Sequence, residues 1–397
     1  MKYIREASLN IIIFILVFIT WVIFFHGDKT FNIPFYFVVS CIYLVIALIF
    51  FNCIKFYNKL PNKDFIVLAI FFLLMVIAVV RGGFYARNYW DYKFLLVTFL
   101  PFTLMMFTVY IGNSFYSSLK LIRYLYKYIL VLLILLIPLL NIVNLQVFPR
   151  STHFIYLLLL LIPYIRKRYV VIIIIGALLS IWSDGLEFRM NIIRYVSVFI
   201  ILLIFRFRKI LLNNIWNVAR RFILFLPFII LTASLYEGIN IFEQVSISNE
   251  GEVYTDTRTF LYVEVINTVM NTGNYIFGEG STRGYDSIWF TDTGGAMGSV
   301  RYLTEVNILN IFLIMGLLGV FSYFSIIFYF SKLALISNNY FIKMVGLNIA
   351  LQWPFSFIEN FTKFDVNFFF FWFSIGLISS VKIRQLSNND LKNIFHV

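Results

Sequence analysis

Residues 65–80 read Phe-Ile-Val-Leu-Ala-Ile-Phe-Phe-Leu-Leu-Met-Val-Ile-Ala-Val-Val, an apolar run between Asp64 and Arg81. A helix of this composition has no polar face to turn toward water, so it belongs in a large core or in lipid. The rest of the chain decides between the two, because 61% of its 397 residues are hydrophobic and only 13% are charged. A soluble domain carries about 25% charged residues. The composition therefore predicts a membrane protein.

Eleven further apolar stretches resemble this run, so the sequence predicts an all-α polytopic protein with about twelve transmembrane helices. The first of them, which follows Lys2 and Arg5, lacks a small-residue cleavage site and is interpreted as a retained span. The twelve predicted spans lie at about 8–25, 33–54, 65–80, 94–111, 128–145, 154–165, 169–182, 192–205, 222–236, 303–330, 344–359 and 366–381.

The charged residues sort by side of the membrane when the N-terminus is placed inside. The cytoplasmic segments then hold 21 of the 32 basic residues and three of the 19 acidic ones. Basic residues are enriched in cytoplasmic loops, so this alternation supports the span count and places both termini in the cytoplasm. The net charge of +13 is therefore attributed to orientation, and nucleic acid is not an expected partner.

Three parts follow from the span positions. Residues 1–236 hold the first nine helices, 237–302 form one large external loop, and 303–397 hold three helices and a cytoplasmic tail. A loop of 66 residues is uncommon unless it is functional or disordered. Apolar spacing within 258–270 predicts a short amphipathic helix on the membrane face, and the glycines that follow predict an ordered, hinged loop.

Ionisable residues near the external ends of the spans are candidates for function. The stretch from Arg81 to Tyr92 interleaves two arginines with aromatic residues, which suits either a phosphate and sugar platform or an interfacial aromatic belt. Arg150 and His153 lie in a turn that is either part of such a site or simply solvated. Arg189 and Arg194 precede or enter an apolar helix, so Arg194 needs an anionic ligand or an internal partner such as Asp184 or Glu187.

Glu305 lies where the long loop meets the next span. Arg301 precedes it by four residues, so the two side chains share a face and pair if the helix has already begun there. Alternatively, the cation keeps the carboxylate charged at the membrane mouth, where it can accept a proton from a hydroxyl.

Missing motifs narrow the chemistry. The sequence has no phosphate-binding Gly-x-x-x-x-Gly-Lys loop, no Asp-x-Asp pair and only three histidines, so neither a metal nor a cofactor is predicted. Cys41 and Cys53 lie about 18 Å apart on one helix, too far for a disulfide. A transferase on the outer face needs a donor that carries its own leaving group, and external arginines are suited to a lipid-linked pyrophosphate.

The sequence resembles the family of bacterial O-antigen polymerases and ligases. The resemblance covers the twelve-span layout with a late external loop, the stretch from Arg258 to Tyr262, the Gly278-Glu279-Gly280 element, and Glu305 followed by Leu309, Gly316 and Gly319. Ligases of this family usually carry His at the position of Glu305, so the carboxylate favours a polymerase.

The resemblance implies a membrane glycosyltransferase of the all-helical, GT-C-like type in the bacterial inner membrane. It implies that lipid-linked oligosaccharide repeats on undecaprenyl pyrophosphate are donor and acceptor at the periplasmic face, with no metal and with a chain-length regulator protein as a further partner. Glu305 and Arg258 are the predicted catalytic residues, and the residues predicted to bind the pyrophosphate or other parts of the substrate are Arg283, Arg301, Arg81, Arg150, Arg189 and Arg194. A capsule polymerase, an O-antigen ligase and a lipid-linked oligosaccharide flippase are the alternatives.

Overall fold

A computed structural model describes residues 60–136, 151–183, 189–208, 214–237, 259–287, 300–360 and 364–396. Helices account for 79% of the structure and strands for 2%. The predicted spans 8–25 and 33–54 lie outside the described residues. The helices are α1 (Asn62–Tyr85), α2 (Tyr89–Phe94), α3 (Met105–Asn113), α4 (Phe115–Lys127), α5 (Ile129–Leu136), α6 (Phe154–Leu160), α7 (Lys167–Ser183), α8 (Arg189–Phe207), α9 (Ile215–Glu237), α10 (Thr259–Asn271), α11 (Asn307–Leu335), α12 (Tyr340–Phe355), α13 (Val366–Ser379), α14 (Val381–Gln385) and α15 (Asn388–Phe395).

Shorter elements complete the fold. A π-helical turn, Leu95–Phe99, and a helical turn, Leu100–Phe102, connect α2 to α3, and a 3-10 turn, Ile162–Tyr164, follows α6. Two short strands, β1 (Tyr285–Asp286) and β2 (Val300–Arg301), pair antiparallel with Tyr285 opposite Arg301. The sequence did not predict this hairpin.

Within the described ranges, three helices are long and apolar enough to cross a membrane: Asn62–Tyr85, Met190–Phe207 and Asn307–Leu335. The helical class and membrane-spanning potential predicted from the sequence are confirmed to this extent. Other predicted spans contain shorter helices; for example, 154–165 holds α6 and the 3-10 turn.

The first of these helices, α1, is apolar on both of its faces. One face packs into the protein, with Leu68, Phe71 and Met75 at most 2% exposed. The other face is also apolar but is open to the surroundings, a distribution expected where lipid and not water is the solvent. Its exposed residues are Ile66, Ile70, Leu73, Ile77, Val80 and Phe84.

The centre of the bundle is α11, which contacts α1, α9, α10, α12 and α13. Beside it, α3 and α13 pack backbone to backbone. A Cβ built at Gly112 would overlap the carbonyl oxygen of Phe373, and one at Gly376 would overlap that of Val109. Small residues allow membrane helices to approach this closely.

One end of the bundle, here called the tail end, is closed by the last helix. Leu391 and Phe395 of α15 are buried. Arg123 donates to the carbonyl of Ile394 (2.6 Å) and Arg166 to that of His396 (2.6 Å). The opposite end, here called the hairpin end, carries β1, β2 and the C-terminal end of α1.

Candidate functional site

The long loop enters the bundle at a break in α11. Gly316 has a non-helical backbone (φ 65°, ψ −160°) that divides α11 into two halves. Glu279 and Gly280 donate their backbone N–H groups to Leu313 (2.6 Å) and Ile314 (3.2 Å), at the end of the first half. At the start of the second half, the N–H groups of Leu317 and Leu318 donate to the carbonyls of Tyr275 (2.9 Å) and Ile276 (3.2 Å). The loop therefore supplies the hydrogen bonds that the break removes from the helix.

Two glycines make this contact possible. The conformation of Gly316 is almost exclusive to glycine, and a Cβ there would overlap the carbonyl oxygen of Ile276. Gly278, with φ 70°, faces it, and a Cβ on Gly278 would lie 2.5 Å from the carbonyl carbon of Ile314. Any side chain at either position therefore conflicts with both the backbone conformation and the neighbouring chain.

The same loop is attached to the end of α1. Ser281 donates its N–H to the carbonyl of Ala78 (3.2 Å), and the Thr282 hydroxyl donates to the carbonyl of Gly82 (2.8 Å). Arg81 donates from Nη1 to the carbonyl of Phe277 (3.2 Å). Residues 275–282 are thus fixed between α1 and α11.

A buried carboxylate in this loop orients a second arginine. Glu279 is 1% exposed and accepts hydrogen bonds from Thr272, Asn274 and Arg283. The Arg283 guanidinium lies 4.0 Å from the ring centroid of Tyr85, and its side chain is 41% exposed. Tyr85 is one helical turn beyond Arg81, so the two predicted pyrophosphate ligands Arg81 and Arg283 lie at the same end of α1.

The hairpin carries Arg301, and Glu305 follows it. Burial raises the pKa of Tyr285 to about 12. The nearby charge of Arg301 opposes this shift, whereas the charges of Glu264 and Glu305 add to it. Glu305 is exposed in a bend, and α11 begins only at Asn307. Arg301 lies in β2, so Arg301 and Glu305 do not share a helix face, and the carboxylate is open to an incoming group.

A pair of polar residues joins this segment to α2. The Tyr302 hydroxyl donates to Asp91 (2.5 Å), whose other oxygen accepts from the backbone N–H of Arg87 (2.7 Å). Tyr302 also stacks on Phe94, with 4.5 Å between ring centroids. Part of the aromatic stretch after Arg81 therefore supports the segment that leads to Glu305.

We expect Tyr302→Phe to lower the free energy of unfolding by about 2 kcal/mol, because Asp91 loses a hydrogen bond to its charged carboxylate. Burial, and secondly the bond to Asp91, raise the pKa of Tyr302 to about 12, so the folded state favours the neutral phenol. This contribution is complete below about pH 10 and is lost as the pH rises toward 12. Thermal unfolding at pH 8 should show a lower midpoint temperature for the variant than for the wild type. At pH 11 this difference in midpoint temperature should be smaller.

The matched control is Tyr92→Phe, because Tyr92 is 49% exposed and its hydroxyl is not needed for this contact. It should behave as wild type at both pH values. If the stability difference between wild type and Tyr302→Phe stayed constant or grew at pH 11, the role assigned to the bond between Tyr302 and Asp91 would be wrong.

Arg194 forms a second buried cluster at the hairpin end. It is 4% exposed, and its Nη2 lies 2.6 Å from Oε2 of Glu359 in a salt bridge. Its Nη1 contacts Nε2 of His153, and its guanidinium lies over the ring of Phe355. Because the arginine can only donate, His153 Nε2 accepts, and the ring proton is assigned to Nδ1.

Glu359 was not singled out from the sequence. The available signal was an acidic residue at the end of an apolar span, on the side where Arg194 needs a counter-charge. Asp184 and Glu187, the partners considered from the sequence, lie outside the described residues. The backbone carbonyl of Glu359 accepts from the N–H of Asn307 (3.0 Å), so this cluster adjoins the segment of Glu305.

A cavity opens beside this cluster, between α6, α8, α12 and α13. Its walls combine aromatic rings with uncharged polar side chains. Asn348, the midpoint of α12, and Gln352 lie one turn apart, and Asn367 and Ser374 face them from α13. Polar side chains within a bundle of apolar helices are candidates for function.

The other predicted site residues are distributed as follows. Arg258 and Arg150 lie outside the described residues, and Arg189 is the first residue of α8. Among the residues that the structure describes, no three His, Cys, Asp or Glu side chains are grouped to hold a metal ion. No known family, curated protein or solved structure matches this chain.

Proposed function

We propose that the chain is an O-antigen polymerase, a glycosyltransferase that joins lipid-linked repeat units into polysaccharide. In this proposal it is a multi-pass protein of the bacterial inner membrane with about twelve spans and a GT-C-like fold. The hairpin end faces the periplasm and the tail end faces the cytoplasm. The apolar face of α1 supports its insertion in a membrane, and the charge distribution of the sequence supports this orientation.

The observation that carries the proposal is the anchoring of two arginines at the hairpin end. Arg81 is held by the carbonyl of Phe277, and Arg283 is held between Glu279 and Tyr85. Each guanidinium has five N–H donors, so these contacts leave others for an anion. Preorganised guanidinium groups suit a pyrophosphate, which offers several oxygens for charge-assisted bonds. Arg258 and Arg301 are assigned to the same ligand, and Arg150, Arg189 and Arg194 to the wider substrate site.

The proposed reaction is a single displacement or its two-step equivalent at the anomeric carbon. A hydroxyl oxygen of the acceptor repeat bonds to the anomeric carbon of the donor chain, and the bond from that carbon to the pyrophosphate oxygen breaks. The hydroxyl proton passes to the Glu305 carboxylate, which is exposed at the mouth of the bundle. The arginines stabilise the charge that develops on undecaprenyl pyrophosphate as it leaves.

The flippase is a second candidate because the Arg194 cavity reaches the middle of α12. Transporters bind substrates at this depth, often beside broken helices whose free ends coordinate ions. In α11, however, the backbone groups at the break are bonded to residues 275–280. This difference favours the transferase.

A reconstituted reaction tests the proposal. Purified protein in liposomes is supplied with synthetic lipid-linked repeats, and the products are separated on a gel. A ladder of polysaccharide lengths is expected without added nucleotide sugar. Transfer only to a different acceptor would indicate a ligase, and movement of the repeats across the bilayer without a ladder would indicate a flippase; either result would overturn the proposal.

A further inference from the structure

The cavity beside Arg194 contains amide groups that the fold does not use. Within the described part of the chain, the side-chain amides of Asn348, Gln352 and Asn367 have no hydrogen-bond partner, although each lines the cavity. Gln352 is 9% exposed, and Asn348 and Asn367 are partly exposed. Their donors and acceptors are therefore open to a molecule that enters the cavity.

The charge of the cavity is already balanced. The guanidinium of Arg194 forms a salt bridge with Glu359, 2.6 Å away, and His153 Nε2 accepts from the same arginine. The cluster therefore presents one cation, one anion and a neutral imidazole. A dianionic group placed here would meet the Glu359 carboxylate and would have to displace it, so the site disfavours phosphate and pyrophosphate.

The remaining groups suit a neutral polyol. Each amide offers donors and an acceptor, and a sugar hydroxyl is itself a donor and an acceptor. The rings of Tyr156, Phe355 and Phe371 add apolar walls, which suit the C–H faces of a sugar ring. Ligand sites commonly combine such walls with a few orienting polar groups.

The position of the cavity indicates which sugar it would hold. Asn348 lies two turns before the end of α12, about 10 Å along the helix from Phe355, and both residues line the cavity. Arg194, which also lines the cavity, pairs with Glu359, whose backbone carbonyl accepts from the N–H of Asn307 (3.0 Å), two residues after Glu305. The Arg194 end of the cavity is therefore on the side of the candidate base, where a bound sugar would present its hydroxyl.

We propose that the cavity lined by Asn348, Gln352 and Asn367 binds an uncharged sugar ring of the acceptor repeat, apart from the arginines that bind pyrophosphate. The inference rests on the proposed function, and it assigns the amides to acceptor recognition. Arg194 and Glu359 act here as a neutral pair that fixes the shape of the site.

Saturation-transfer NMR on the protein in lipid nanodiscs tests this directly, without turnover. The probes are glucose, N-acetylglucosamine and glucuronate, with inorganic pyrophosphate as competitor. We expect transfer to at least one neutral sugar, little transfer to glucuronate, and no displacement by pyrophosphate. Gln352→Met, which keeps the side-chain length, and Asn348→Leu should each weaken sugar binding by about tenfold, the effect of one lost hydrogen bond.

Thr108→Val is the matched control, because the Thr108 hydroxyl is buried in α3 and donates to the carbonyl of Leu104 (3.2 Å) of its own helix. It should leave sugar binding unchanged. Glu359→Gln, which uncovers the charge of Arg194, should shift the preference toward glucuronate and gives an independent reading if an amide variant does not fold.

Three results would overturn the inference: no transfer to any neutral sugar in the wild type, which would leave a cavity filled only with water; binding that both amide variants retain; or displacement by pyrophosphate. The outcome is separable from the proposed function. Sugar binding with no polysaccharide ladder would refute the polymerase and keep the sugar site. A ladder together with amide variants that bind sugar as the wild type does would keep the polymerase and refute the sugar site.

Discussion

Glu305→Gln should reduce the rate of polysaccharide formation by about 10²- to 10⁴-fold, the usual contribution of a general base. Glutamine keeps the size and hydrogen-bonding capacity of the side chain but cannot take the proton of the attacking hydroxyl. Because Glu305 is exposed in a bend before α11, the substitution should leave folding intact. The measurement is the initial rate of ladder formation in the reconstituted system, at saturating and at limiting lipid-linked repeat.

The control for this substitution is Asp286→Asn, which neutralises an exposed carboxylate in the hairpin that precedes Glu305. Both variants change the net charge of the site equally, so a purely electrostatic effect on substrate attraction would appear in both. The general-base role requires the loss in kcat to be specific to Glu305→Gln. Equal rates for the two variants would exclude it.

Gly316→Ala should lower the free energy of unfolding by about 3 kcal/mol and release the loop from α11. Alanine cannot adopt the backbone of Gly316 without strain, and its Cβ would overlap the carbonyl of Ile276. The hydrogen bonds between residues 275–280 and the two halves of α11 would then be lost together. Denaturant titration of the purified protein gives the free energy, and limited proteolysis reports on the loop.

Gly273→Ala separates backbone strain from steric overlap. Gly273 also has a positive φ (72°), but a Cβ there would meet no atom within 4 Å. It should therefore cost only about 1 kcal/mol, the strain of the left-handed conformation, and should not increase cleavage within 275–282. If the two variants were equally stable, the loop would not depend on the break in α11.

The helices were the most predictable part of this fold. Apolar runs of sufficient length indicate a helix because the backbone must bond internally in lipid, whatever the helix packs against. The predicted span 65–80 lies within α1, and the predicted helix at 258–270 corresponds to α10 (Thr259–Asn271). The count of twelve, the sidedness and the family resemblance remain predictions.

The candidate site was less predictable, because its contacts join residues far apart in the chain. The need of Arg194 for a partner could be inferred from its position in an apolar helix, but Glu359 lies 165 residues away and becomes its partner only through the packing of α8 against α12. Similarly, the glycines that include Gly278 predicted a hinged loop, and Gly316 was part of the family resemblance, but the sequence did not show that the two meet. Amides such as Asn348 and Gln352 gave no pattern, since single polar residues in apolar helices have many explanations.

The junction between Gly278 and Gly316 also provides a way to recognise distant relatives of this chain. Lipid-facing apolar residues can replace one another, but a side chain at Gly278 or at Gly316 would overlap the backbone of the other segment. A distant relative should therefore keep one glycine in the loop and one within the following apolar helix, even where the surrounding residues have diverged. A search for this coupled pair would test shared ancestry independently of overall similarity.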